Sequence, residues 1–112
     1  VVRGRRNETL VKIMILLKRQ DHLSFEEFEK WWLGQHRAMA AQMPGLKRAC
    51  FNLRQGDDDS LYDGVSELWF DSLADFESAY QSDIGKKVAA DSLAHVSKRD
   101  RLIVEENIVV GD

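Results

Sequence analysis

A single cysteine, Cys50, among 112 residues leaves no partner for an internal disulfide. Neither that thiol nor the three histidines fall into a zinc-ligand spacing, so a reducing compartment and no structural metal are expected. Long apolar runs are missing as well. The run IMILL at 13–17 is far too short to span a bilayer, and no charged-then-apolar leader opens the chain, so a cytoplasmic protein is expected. Charge of one sign is missing too: 16 basic and 19 acidic residues are spread along the chain, with no basic footprint for nucleic acid or an anionic membrane. At 44% hydrophobic content and this length, one compact core is expected over residues 10–112. The stretch VVRGRRNET at 1–9 is read as an N-terminal tail outside that domain.

What is present is an alternation of strand and helix signals. LVKIMILL at 10–17 is apolar and rich in β-branched residues, followed by a polar segment, which predicts a strand. Ser24 and Glu27 then form a capping box. Behind it, Phe28, Trp32, His36, Met39 and Met43 recur every three or four residues, predicting an amphipathic helix of about four to five turns. Pro44 and Gly45 end it. LKRACFNLR and GVSELWF read as strands on either side of the polar loop QGDDDSLYDG, whose acidic run lacks calcium-loop spacing and is a solvated turn. Ser72 caps a second helical region carrying Leu73, Phe76 and Tyr80, with a break expected near SDIG. A last strand is expected over 100–110, with a bulge at Glu105, Glu106 and Asn107.

The order strand, helix, strand, strand, helix, strand predicts an α+β fold of the ferredoxin-like βαββαβ type: a four-stranded antiparallel sheet with both helices on one face. Strand one is apolar on both sides, with Ile13, Ile15 and Leu17 on one and Met14 and Leu16 on the other. A homodimer that buries the second face sheet to sheet resolves this.

Within that frame His36 falls on the sheet-facing stripe, where an imidazole serves either as an acid/base or as a core histidine bonded to a backbone carbonyl. Glu67 shares a strand face with Val65 and Trp69. It is read either as a raised-pKa base or His36-orienting carboxylate, or as the partner of Arg48 or Arg54. Trp32, Met39, Met43 and Trp69 are candidate walls for a small hydrophobic ring ligand, the competing reading being plain core. Gly34, mid-helix, is read as a site of close packing, Cys50 as inert packing, and His22 carries no signal.

The segments VKIMILLKR, LSFEEFEKWWLGQHRAMAAQMPGLKR, YDGVSELWFDSLADFESAYQS and RLIVEEN, in that order, resemble an EthD-domain protein of the dimeric α+β barrel superfamily. The resemblance covers nearly all of the chain beyond residue 10. It implies a ferredoxin-like homodimer with a pocket between sheet and helices. Relatives include muconolactone-type isomerases, polyketide cyclases, cofactor-free monooxygenases and haem proteins. In methylmuconolactone methylisomerases, which are similar around the H…MPGL helix ending, the histidine matching His36 lies at the active site. This chain departs from that branch: Ala49 stands where it has a tyrosine, and its active-site cysteine has no match.

The expected function is therefore a small cofactor-independent enzyme, of isomerase or cyclase type, moving a proton on a lactone or phenolic ring with His36 and Glu67. No cofactor is expected, since nucleotide and flavin motifs are missing. The alternative is a non-catalytic carrier of a hydrophobic ligand or an accessory of an oxygenase system. Haem-linked or cofactor-free oxidation is third, with His95 as the axial ligand the haem-binding branches imply.

Overall fold

The computed structural model describes residues 10–57 and 59–111, so the expected tail at 1–9 lies outside the described residues. Strand β1 (Val11–Arg19) sits centrally and alternates as its pattern requires. Ile13, Ile15 and Leu17 are buried under the helices, and Met14 and Leu16 are half-buried on the other face.

Helix α1 (Phe25–Trp31) begins on the predicted capping box. The Glu27 backbone N–H donates to Ser24 Oγ at 3.0 Å, and the Ser24 N–H donates back to Glu27 Oε1 at 2.8 Å. The helix does not then run on as a plain α-helix. A π-helical turn over Trp32–His36 intervenes before α2 (Arg37–Ala40). The buried positions show why: Phe28, Trp32, His36 and Ala40 step by fours, each step overshooting a 3.6-residue turn by about 40°. A wider turn absorbs that drift and keeps all four on the core side. Ala40 thus occupies the buried place predicted for Met39, which is only partly buried. Gly34, inside the π turn, faces open space, since a Cβ there would meet nothing within 4 Å. The close packing expected at Gly34 is not found.

Strands β2 (Arg48–Leu53) and β3 (Gly64–Phe70) follow. Next come α3 (Leu73–Gln81), capped by Ser72, and α4 (Asp83–His95). The expected break near SDIG is built by Ser82. Its Oγ donates to the Ala79 carbonyl at 2.6 Å and accepts from the Gly85 N–H at 3.1 Å, closing one helix and opening the next. Gly85 is required here: a Cβ would collide with the Ala79 carbonyl oxygen and the Tyr80 Cα. Because the obstruction is backbone, Gly85→Ala is expected to cost about 3 kcal/mol, the upper range for overpacking, read as a lower urea midpoint.

Strand β4 (Val96–Val104) corrects the sequence prediction. It starts directly after α4 and ends at Val104, not at Val110. Pairing decides this: Val104 lies opposite Lys12, so β1 has almost no further residues to offer. The one irregularity falls at Lys18/Arg19 rather than at Glu105–Asn107. Sheet order is β2-β3-β1-β4, antiparallel throughout, with the helices on the face of Ile13, Ile15, Leu17, Leu68 and Phe70. This is the ferredoxin-like α+β arrangement expected from the element order.

At one end of the sheet the carboxylate of Asp63 is fully buried. It accepts from the Arg19 guanidinium at 2.7 Å and the Arg19 backbone N–H at 2.9 Å, with Arg54 and Lys18 at 3.4 and 3.6 Å. Its backbone N–H donates to the Leu17 carbonyl at 2.7 Å. The ends of β1, β2 and β3 are thereby held by a single side chain.

Candidate functional site

The π turn presents His36 to α4, where Asp91 gathers three rings. Nδ1 of His36 lies 2.9 Å from Asp91 Oδ2, and Trp31 Nε1–H donates to the same oxygen at 3.0 Å. His95, the last residue of α4, donates from Nδ1 to the Asp91 backbone carbonyl at 2.8 Å and stacks on Trp31 at 4.2 Å. A carboxylate can only accept, so Nδ1 of His36 carries the hydrogen and Nε2 keeps its lone pair. Near Nε2, at 3.4 Å, stands only the Ser92 hydroxyl. His36 is 4% exposed, which places this lone pair away from bulk water.

Burial lowers the His36 pKa below its ordinary 6.5, against a hydrogen bond to Asp91 that raises it; the charges of His95 and Arg99 act with burial. The imidazole is thus a neutral, oriented base near pH 7. As pH falls below 6.5 the unfolded chain takes up this proton first, so stability declines from there toward the folded-state pKa and levels off beneath it. Asp91 and His95 on α4 and Arg99 on β4 also face the ring. The difference in urea midpoint between native protein and His36→Gln, followed across pH, is expected to narrow through this window.

Nε2 looks into a cavity of about 10 Å³, room for a single water. Leu17, Met43, Phe51 and Val88 supply apolar walls; Ser66, Tyr80, Ser92 and Arg99 join His36 as polar ones. Tyr80 is also a wall of a surface groove of about 430 Å³, shared with Leu73, Phe76, Glu77 and Arg101. Burial raises the Tyr80 pKa, with Arg99 working against it.

Of the residues expected to form the site, His36 and Met43 reach this cavity. Trp32 is fully buried beside it, stacked on Phe51 at 4.6 Å. Met39 packs at the margin of the core. Glu67 and Trp69 are on the opposite face of the sheet, because β3 residues 66 and 68 line the cavity and its alternate residues point away. Glu67 therefore neither orients His36 nor serves as a raised-pKa base. Lys12 Nζ lies 2.8 Å from its carboxylate and, with Asn52 donating at 3.0 Å, holds the Glu67 pKa below the usual range. The arginine partners expected for Glu67 are engaged elsewhere, Arg48 over Trp69 at 4.5 Å and Arg54 at Asp63. Trp69 is enclosed by Arg48, Lys12 and Glu106.

Asp91, Ser92, Tyr80, Arg99 and Trp31 are the site residues that sequence reasoning missed. A weak signal exists in the spacing of Asp91 and His95, which places both on one helix face. Among the described residues, no three of His, Cys, Asp and Glu cluster as metal ligands, and no helix is long and apolar enough to cross a membrane.

The EthD domain family model matches residues 20–98. Among solved structures, an EthD-family protein from Bacillus halodurans is similar at 21% identity and a TM-score of 0.76, over 88% of this chain and 99% of that one. A dimeric ferredoxin-like protein of unknown function from Thermobifida fusca is similar at 15% identity, TM-score 0.72, over 87% and 91%. A hydroxynitrile lyase from Passiflora edulis is similar at 18% identity, TM-score 0.67, over 88% and 96%. A search of curated proteins finds no match.

Proposed function

The chain belongs to the EthD-domain family, and from that premise we propose that it is a small cofactor-independent enzyme that moves a proton on a small hydrophobic ring compound, a lactone or phenolic, in catabolic or secondary metabolism. One observation carries this reading: Asp91 fixes the His36 tautomer so that a neutral Nε2 lone pair faces an enclosed, largely apolar cavity. A core histidine needs one satisfied nitrogen; it does not need a carboxylate that leaves the other nitrogen basic and aimed at a void. His36 would take a proton from a carbon acid or phenol and return it at another atom, isomerising or cyclising the ring. Asp91 would stabilise the imidazolium formed between the two steps. That the fold also occurs in a hydroxynitrile lyase supports an enzymatic use of it.

A cavity the size of one water is far below the 300 Å³ or more typical of ligand sites, so binding requires a wall to move. Tyr80 separates cavity from groove and is the side chain whose rotation would join them. The open face of the sheet, with Met14, Leu16, Val65 and the half-exposed Leu102, supports a homodimer formed sheet to sheet. The single thiol and the absence of zinc spacing fit a cytoplasmic setting.

The test is a titration of lactones and phenols followed by tryptophan fluorescence and by product analysis. Trp31, 4.7 Å from the His36 ring, is a built-in reporter. At least one class is expected to bind and be converted, with kcat/KM falling as pH drops through the lowered His36 pKa. Binding without conversion across the panel would leave the carrier reading in its place.

A further inference from the structure

The cations of this protein are matched with carboxylates almost wherever they stand near the sheet. Lys12 meets Glu67 and Glu106, Arg19 and Arg54 meet Asp63, and Lys98 meets Asp100. Arg99 and Arg101 do not follow this rule. Both lie on the helix side of β4, opposite Leu17 and Ile15. Their guanidinium groups rest over rings of α3, Arg99 over Tyr80 at 5.9 Å and Arg101 over Phe76 at 5.2 Å. Among the described residues, neither has a carboxylate within ion-pair distance. Arg99 lines the cavity that holds His36, and Arg101 lines the groove outside it, with Tyr80 as their common wall. Glu77 is the acidic side chain of that groove and forms no ion pair with Arg101.

A half-buried guanidinium costs desolvation free energy, and a tyrosine face returns only part of it. Its planar N–H donors match a carboxylate two at a time. A positive charge placed beside the catalytic base also makes His36 a weaker base, a disadvantage unless the charge has work of its own. We propose that the substrate carries a carboxylate, drawn in past Arg101 and seated on Arg99, with its ring turned toward His36 Nε2. This rests on the proton-transfer reading of His36 for the ring's position, but the anion subsite is testable without turnover. The ligand class is a small ring acid: a lactone bearing an acetate arm, or an aromatic carboxylate. Arg99 is in this scheme a binding and positioning residue, and the charge it supplies would also stabilise negative charge developing on the ring once His36 has taken the proton.

Matched pairs separate charge from shape. We would titrate para-hydroxybenzoate against para-hydroxybenzamide, and a lactone acetate against its methyl ester, by tryptophan fluorescence at constant ionic strength. The native protein is expected to prefer each acid over its neutral partner by about tenfold or more, the scale of a charge-assisted bidentate contact. Arg99→Met should abolish the preference while the neutral ligands still bind, and Arg99→Lys, which keeps the charge but loses the fork, should retain part of it. Thermal melts establish that each variant is folded; if Arg99→Met is not, the partial loss in Arg99→Lys decides. His36→Gln should keep the preference, so a failure of catalysis leaves this inference standing. Equal affinity for acid and neutral partner, no saturable binding of either, or a preference indifferent to Arg99 would each overturn it.

Discussion

His36→Gln is expected to lower kcat/KM of the proton transfer by about 10²- to 10⁴-fold with the fold intact, the range a positioned acid/base contributes. Glutamine can keep a hydrogen bond to Asp91 but offers no basic nitrogen to the cavity. If His36 were only a packed core residue, the same variant would lose stability and leave turnover of the folded fraction unchanged. Asp91→Asn sharpens the distinction. An asparagine whose carbonyl oxygen takes the Oδ2 place still accepts from both Trp31 and His36, so the tautomer survives while the negative charge is lost. Asp91 raises the His36 pKa against burial, so its neutralisation makes the imidazole a weaker base and a less stable imidazolium. The expected result is a smaller loss than His36→Gln, together with a shift of the acid limb of the kcat/KM profile to lower pH. An unshifted limb would mean that the profile reports another group.

The second large effect is on stability and lies away from the cavity. Asp63→Ala is expected to cost about 3–5 kcal/mol, because removing the acid leaves Arg19, Arg54 and Lys18 facing one another around a buried void. Against a total stability of about 5–15 kcal/mol for a domain of this kind, that is a large share. Thermal unfolding should show the midpoint falling by more than about 10 °C. Asp63→Asn keeps the shape and one acceptor and should fall between the native protein and the alanine variant. A midpoint lowered by only a degree or two in Asp63→Ala would show that water can replace the carboxylate and that the strand ends are tied by other means.

Features decided within a few residues were legible in the sequence. The Ser24–Glu27 box, the Pro44–Gly45 stop and the break near Gly85 are local chemistry, and each is found where its residues stand. The alternation of Ile13, Ile15 and Leu17 was equally plain, since a strand's period is two. The end of β4 was not, because the bare sequence of RLIVEENIVV cannot show where β1 runs out of partners. Glu67 was given its correct face but the wrong companion: which cation stands across from it depends on register between strands far apart in sequence. Asp91 was passed over because its neighbours on α4 read as an ordinary polar helix face. Only the packing of that helix against the π turn makes it the acceptor for Trp31 and His36. Most of the fold was therefore open to sequence reasoning, whereas of the site it found the imidazole and one wall.

The π turn gives the histidine's position a dependence on chain length. A turn closed by an i→i+5 bond holds one residue more than an α-turn, and Gly34, with open space around it, is the one the helix could lose without a collision. Deleting it would let the helix close up as plain α and swing everything after it by about 100° relative to Trp32, carrying the imidazole off Asp91. A relative could thus retain the same histidine in the same local motif yet lack the base at the cavity. Gaps in an alignment through this helix would then say more about shared chemistry than identities would.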